Sequence, residues 1–124
     1  MISLRPEGIA VPASPYSSVV VSGDLVYTAG QVGQDADGAT VPGGFEPQCR
    51  QVLENLRACL QAAGCELSDV IKVNGYLTDL ANFAAYNEIY REYFAEPFPA
   101  RTTVGAALAA DLLVEVEAVA RRPG

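Results

Sequence analysis

Apolar residues recur along this chain at two spacings, and the spacings divide it into alternating strands and helices. Val19, Val20 and Val21 stand between Pro15-Tyr16-Ser17 and Ser22-Gly23-Asp24, which reads as a strand running into a turn. Leu25 to Ala29 reads as its hairpin partner, ended by Gly30-Gln31. Residues 33–44 hold four glycines, two aspartates and a proline, and read as an exposed loop with little power to bury anything. Then the period changes. Cys49, Val52, Leu53, Leu56, Leu60 and Ala63 form one apolar stripe at helical spacing, with Arg50, Glu54 and Arg57 off it. Pro47 suits the first turn of that helix and Gly64 the position just past its end.

Residues 68–77 read as a strand. Asn74-Gly75 in its middle is ordinarily a hairpin signal, but neither half alone is long enough for a strand. A bulge or a close backbone approach at Gly75 is expected instead. Thr78-Asp79 suits the cap of a second helix, whose apolar face is Phe83, Tyr86, Ile89, Tyr90, Tyr93 and Phe94, and Glu96-Pro97 stops it. Strands at about 100–105 and 112–120 close the chain. The order β-β-α-β-α-β-β predicts an α+β fold with both helices on one face of a mixed sheet. A chain this short has nothing left to cover the other face, so association of copies through the sheet is expected.

Composition narrows the function. The length of 124 residues predicts one domain over 1–124. A net charge of -7 argues against nucleic acid as a partner, because phosphate binding needs clustered Lys and Arg. There is no histidine, which removes Ser-His-Asp and Cys-His catalysis and most zinc sites. Cys49, Cys59 and Cys65 have no metal-ligand spacing. An odd count without a signal-type leader reads as reduced thiols in the cytoplasm. No apolar run is long enough to span a membrane.

The candidate chemistry is small. Arg101 is a lone guanidinium between Pro97-Phe98-Pro99 and a β-branched strand, a group suited to a planar carboxylate or, equally, to a surface ion pair. The period of two places Thr103 on its face. In the last strand Glu115 and Glu117 share the face opposite Val114, Val116, Ala118 and Ala120. They form either a solvated strand face or a pair in which one carboxylate, if enclosed, has a raised pKa. Tyr16 follows Pro15 at a strand entry, where edge packing is the commoner fate. Asn87 interrupts the apolar face of the second helix and needs a hydrogen-bond partner. No phosphate loop is present, because the glycines at 38, 43 and 44 match no GK[ST] or GxGxxG pattern.

Taken in order, Pro15-Tyr16-Ser17, Tyr27-Thr28-Ala29-Gly30-Gln31, residues 51–56 (QVLENL), Tyr76-Leu77-Thr78-Asp79, residues 83–88 (FAAYNE), Pro97-Phe98-Pro99-Ala100-Arg101-Thr102 and residues 114–120 (VEVEAVA) resemble the Rid (YjgF/RidA) family of enamine/imine deaminases. The resemblance covers nearly the whole chain. It implies a chorismate-mutase-like homotrimer with a central barrel and active sites between subunits. By the family pattern, Arg101 holds the substrate carboxylate and Tyr16 closes the site from a neighbouring subunit. Glu115 rather than Glu117 orders or activates water, Gly30 turns its backbone toward the ligand, and Asn87 stands near the site. The activity implied is hydrolysis of small 2-enamine or 2-imine carboxylic acids to 2-oxo acids and ammonia, with no cofactor and no metal. Two departures stand out: Thr103 where many deaminating members carry cysteine, and residues 105–111 without the usual proline. They leave a non-catalytic carboxylate-binding trimer as the second expectation. An endoribonuclease, an activity with which the family has been credited, is the third.

Overall fold

The computed structural model describes residues 1–124. In chain order the elements are β1 (Ile2–Leu4), β2 (Val19–Ser22), β3 (Leu25–Thr28), β4 (Gln31–Val32), α1 (Phe45–Ala62), β5 (Val70–Leu77), α2 (Phe83–Tyr93), β6 (Ala100–Gly105) and β7 (Val114–Arg121). The strands form one mixed sheet in the order β1-β2-β3-β7-β5-β6, with β4 also paired to β7. Only β5 and β6 run parallel, joined by the crossover that contains α2. Both helices cover the same face. The α+β architecture therefore stands as the residue pattern predicts.

The stripe on α1 makes the core. Val52, Leu53, Leu56 and Leu60 are fully buried against the inward residues of the sheet, including Val26, Val73, Val114 and Val116. Each such side chain contributes about 1.5–3 kcal/mol relative to exposure. Gly64 lies just past the helix end, where its N–H donates to Gln61 O at 3.0 Å and the Cys65 N–H to Leu60 O at 2.9 Å. All three cysteines are free and buried, and burial pushes Cys49 and Cys59 up to about 12.

Several expectations need correction. Strands β1 and β4 are additional; the chain re-enters the sheet at Gln31, so Gly30-Gln31 interrupts the strand rather than ending it. The loop over 33–44 is largely exposed, as expected, and is tied at its start to α1, where Asn55 Nδ2 donates to Val32 O at 3.1 Å and to Gln34 O at 3.0 Å. The strand expected over 68–77 opens with a 3₁₀ turn at Leu67–Asp69, and its irregular register falls between Val70 and Lys72, not at Gly75. Of the two alternatives expected at Gly75, the close approach holds: a Cβ there would lie 2.6 Å from the Tyr86 hydroxyl oxygen. Asp79 caps a 3₁₀ turn at Leu80–Asn82, accepting from the Ala81 N–H at 2.9 Å, and α2 starts after it. Helix α2 ends at Tyr93, ahead of Glu96-Pro97, because Phe94 turns extended and stacks on Tyr90 at 4.5 Å between ring centroids. The last strand begins at Val114 rather than 112.

The second face of the sheet has no element of the chain over it. Tyr27 and Val104 lie exposed on it, beside a polar row of Lys72, Asn74, Tyr76, Glu115 and Glu117. Lys72 Nζ donates to Thr102 Oγ1 at 2.9 Å and the Tyr76 hydroxyl to Glu117 Oε1 at 3.1 Å.

Candidate active site

The residues singled out from the pattern fall into two groups on opposite sides of the sheet. The first group surrounds Arg101. Strand β6 is an edge strand, and its alternation turns Arg101 and Thr103 toward α2. Arg101 Nη2 donates to Asn87 Oδ1 at 2.8 Å. Its guanidinium carbon stands 5.6, 5.3 and 4.8 Å from the ring centroids of Phe83, Tyr86 and Tyr90. The spacing of Phe83, Tyr86, Asn87 and Tyr90 places all four on one side of α2, so the helix supplies an aromatic bed and one acceptor to a single cation.

Arg101 has no carboxylate partner. The ion pairs of the chain are Arg50 with Glu46 and Glu92, Arg57 with Glu54, and Arg121 with Asp24. Nor do the tyrosines beneath it carry charge. Burial pushes Tyr90 up to about 12, and Tyr86 higher still, against the opposing pull of Arg101. The hydroxyls of Tyr86, Tyr90 and Thr103 are all enclosed without a hydrogen-bond partner. Arg101 opens into a cleft of about 260 Å³ lined by Asn87, Tyr90, Arg91, Phe98, Pro99 and Arg101.

The second group surrounds Glu115. Val114 and Val116 point into the core, so Glu115 and Glu117 point to the uncovered face. Glu115, Tyr16 and Gly30 line one broad groove of about 1030 Å³. The backbone at Gly30 runs against the Glu115 carboxylate; any Cβ there would overlap Oε2. Glu115 is half-buried, and its pKa is raised, first by burial and then by the charge of Glu117. Glu117 is held apart, accepting from the Tyr76 hydroxyl at 3.1 Å and from Asn74 Nδ2 at 3.4 Å. Of the two glutamates, Glu115 is the one that faces the groove with Tyr16.

Two buried amides that the pattern reading passed over shape this groove. Gln48 Nε2 donates to Asp111 O at 3.0 Å and its Oε1 accepts from the Leu113 N–H at 2.9 Å, pinning the segment before β7. Asn55 pins the segment after Gly30. A polar residue beside an apolar helical stripe was their only signal. The backbone groups they hold lie at sequence separations of 21 to 65 residues, which no local pattern reports.

One chain thus carries a guanidinium cleft on the helix side and a carboxylate groove on the open side. Chemically one offers an unpaired guanidinium with the geometry to meet a planar anion, and the other a carboxyl group of raised pKa in a groove shared with a tyrosine.

Residues 8–122 match the family described as Endoribonuclease L-PSP. A RutC family protein of Pyrococcus horikoshii is 47% identical over 92% of this chain and 92% of its own. A protein of Homo sapiens named 2-iminobutanoate/2-iminopropanoate deaminase is 41% identical over 86% of this chain and 79% of its own. The crystal structure of RidA from an Antarctic Psychrobacter shares the fold with a TM-score of 0.92 at 37% identity, covering 98% of this chain and 99% of that one. With its matched span, its relatives and its fold in agreement, the chain belongs to the YjgF/RidA family.

Proposed function

We propose that this protein hydrolyses small 2-imine and 2-enamine carboxylic acids to 2-oxo acids and ammonia. The observation that carries the reading is the unpaired Arg101, held by Asn87 on one nitrogen with the rest of its fork open to a cleft. A planar carboxylate fits that fork, and a charge-assisted pair there contributes about 1.5–3 kcal/mol. Relatives named for 2-iminobutanoate and 2-iminopropanoate deamination support the choice of substrate class.

The chemistry needs little beyond placement. Protonation at carbon turns an enamine into the iminium ion, the protonated imine. A water held by Glu115 adds to the imine carbon while its proton passes to the carboxylate. Glu115 then returns that proton to the nitrogen; as the carbon–nitrogen bond breaks and ammonia leaves, the hydroxyl proton passes back to the Glu115 carboxylate and the carbonyl forms. The raised pKa of Glu115 suits both directions of that transfer. The imine is already electrophilic, so orientation against a positioned water supplies most of the acceleration.

Because Arg101 and Glu115 lie on opposite sides of one sheet, the reading requires that copies complete each other. The cleft at β6 of one copy meets the groove holding Tyr16, Gly30 and Glu115 of the next, with Asn87 and Thr103 beside the clamp. A homotrimer that closes the uncovered sheet faces around a central barrel satisfies this arrangement.

The test is Arg101→Ala, assayed with 2-iminobutanoate generated in situ. Loss of acceleration with unchanged mass by light scattering is expected; equal rates in variant and wild type refute the reading. A second reading, a trimer that binds 2-oxo acids without turnover, is favoured by Thr103, whose enclosed hydroxyl stands where many deaminases carry cysteine. Stabilisation by 2-oxobutyrate with no deamination would select it. The family's ribonuclease description fits this chain less well, given a net charge of -7 and no histidine.

A further inference from the structure

The cleft at Arg101 holds a second guanidinium. Arg91 lies one helical turn beyond Asn87 on α2, and both line the cleft together with Arg101. The remaining lining residues are Tyr90, Phe98 and Pro99, so the cleft contains two cations and no carboxylate. This is unusual for a chain with 15 acidic against 8 basic side chains. Arg50, Arg57 and Arg121 are each paired with a carboxylate; of the four arginines without one, Arg5 and Arg122 lie outside the cleft and Arg91 and Arg101 line it. One anion satisfies Arg101. The second guanidinium, set on a different element at the same cleft, calls for a second anionic group on the same ligand.

We propose that Arg91 is a specificity-determining residue that recognises a second carboxylate, and that the preferred substrate is a short-chain 2-imino dicarboxylic acid. The proposal rests on the deaminase reading for its chemistry and names the substrate class of the same site. The 2-carboxylate pairs with Arg101, and the distal carboxylate reaches past Phe98 to Arg91. Arg91 also stands in the last turn of α2, where a cation complements the helix dipole. That role is indifferent to the ligand, so a comparison of ligands separates the two.

The experiment compares 2-iminoglutarate with 2-iminobutanoate, each made in situ from its amino acid by an oxidase. The readout is the ratio of their kcat/KM values. Wild type favours the dicarboxylate. Arg91→Ala lowers the ratio about tenfold, the scale of one charge-assisted hydrogen bond, and Arg91→Glu lowers it further. Arg57→Ala, an equal change of net charge outside the cleft, leaves the ratio as it is. A ratio within twofold of wild type in Arg91→Ala overturns the proposal, as does an equal drop in Arg57→Ala. A second readout needs no turnover: the Kd of 2-oxoglutarate relative to 2-oxobutyrate by calorimetry, in the same variants. If wild type accelerates neither imine, the deaminase reading fails. The binding ratio then decides the two-cation cleft by itself, a preference for 2-oxoglutarate lost in Arg91→Ala supporting it and no preference refuting it.

Discussion

Gly75→Ala is a perturbation whose cost can be worked from the geometry. Gly75 lies in the interior of β5, paired with Thr103 of β6 on one side and Val116 of β7 on the other. Its φ is an ordinary one for any residue, so alanine meets no backbone strain. The new Cβ does meet Tyr86, at 2.6 Å from the hydroxyl oxygen and 3.1 Å from the carbon bearing it. Tyr86 is fully buried and cannot swing into solvent. Overpacking of this kind costs about 1–3 kcal/mol, and the reduced freedom of the unfolded chain returns about 0.4–1 kcal/mol. The net loss is about 1–2 kcal/mol, or roughly 4–8 °C in Tm at this chain length. Removing the clashing atom should undo much of it. Tyr86→Phe alone is neutral to stabilising, because that hydroxyl is buried without a partner. In the double variant the two changes couple favourably by about 1 kcal/mol. Denaturant unfolding of the four proteins at one concentration measures the cycle. A Gly75→Ala chain as stable as wild type, or a double variant no better than Gly75→Ala, refutes the reasoning.

Other consequences are open to measurement. Asn87→Ala removes the one side-chain acceptor of Arg101 and should weaken 2-oxobutyrate binding by about 1–2 kcal/mol, or roughly 5–30-fold in Kd; a change within twofold contradicts the positioning role. Glu115 has a raised pKa in the folded chain, so the folded state holds that proton more tightly than the unfolded state. Stability therefore falls as pH rises from the unfolded to the folded pKa, and the cost persists above it. Glu115→Gln should then stabilise the chain near pH 7, with the advantage shrinking toward about pH 4; urea titrations at the two pH values check this, and a destabilised variant at neutral pH counts against it.

Long periodic segments were readable and short ones were not. The stripe on α1 and the alternation of β7 each repeat often enough to define a face, and both faces are the buried ones in the structure. Strands β1 and β4 have three and two residues, too few to show any period, and their pairing is decided by neighbours distant in sequence. The bulge at Ile71 was likewise hidden, because Asn74-Gly75 carried the local signal and Gly75 was needed for Tyr86 instead. At the site, the period of two correctly joined Arg101 with Thr103 and Glu115 with Glu117. It could not tell that the two pairs face opposite ways, since that depends on which side α2 packs. Arg91 was passed over because a charged residue in a helix's last turn has a sufficient local explanation.

The central claim is that Arg101 of one copy and Glu115 of another form one site, and mixing two disabled chains tests it most directly. Arg101→Ala and Glu115→Gln chains, each inactive alone, are co-expressed in equal amounts and assayed for 2-oxobutyrate formation from 2-iminobutanoate. With random assembly, the cleft donor keeps Arg101 half the time and the groove donor keeps Glu115 half the time, so about one quarter of wild-type activity returns. Activity no higher than that of either variant alone would contradict the account.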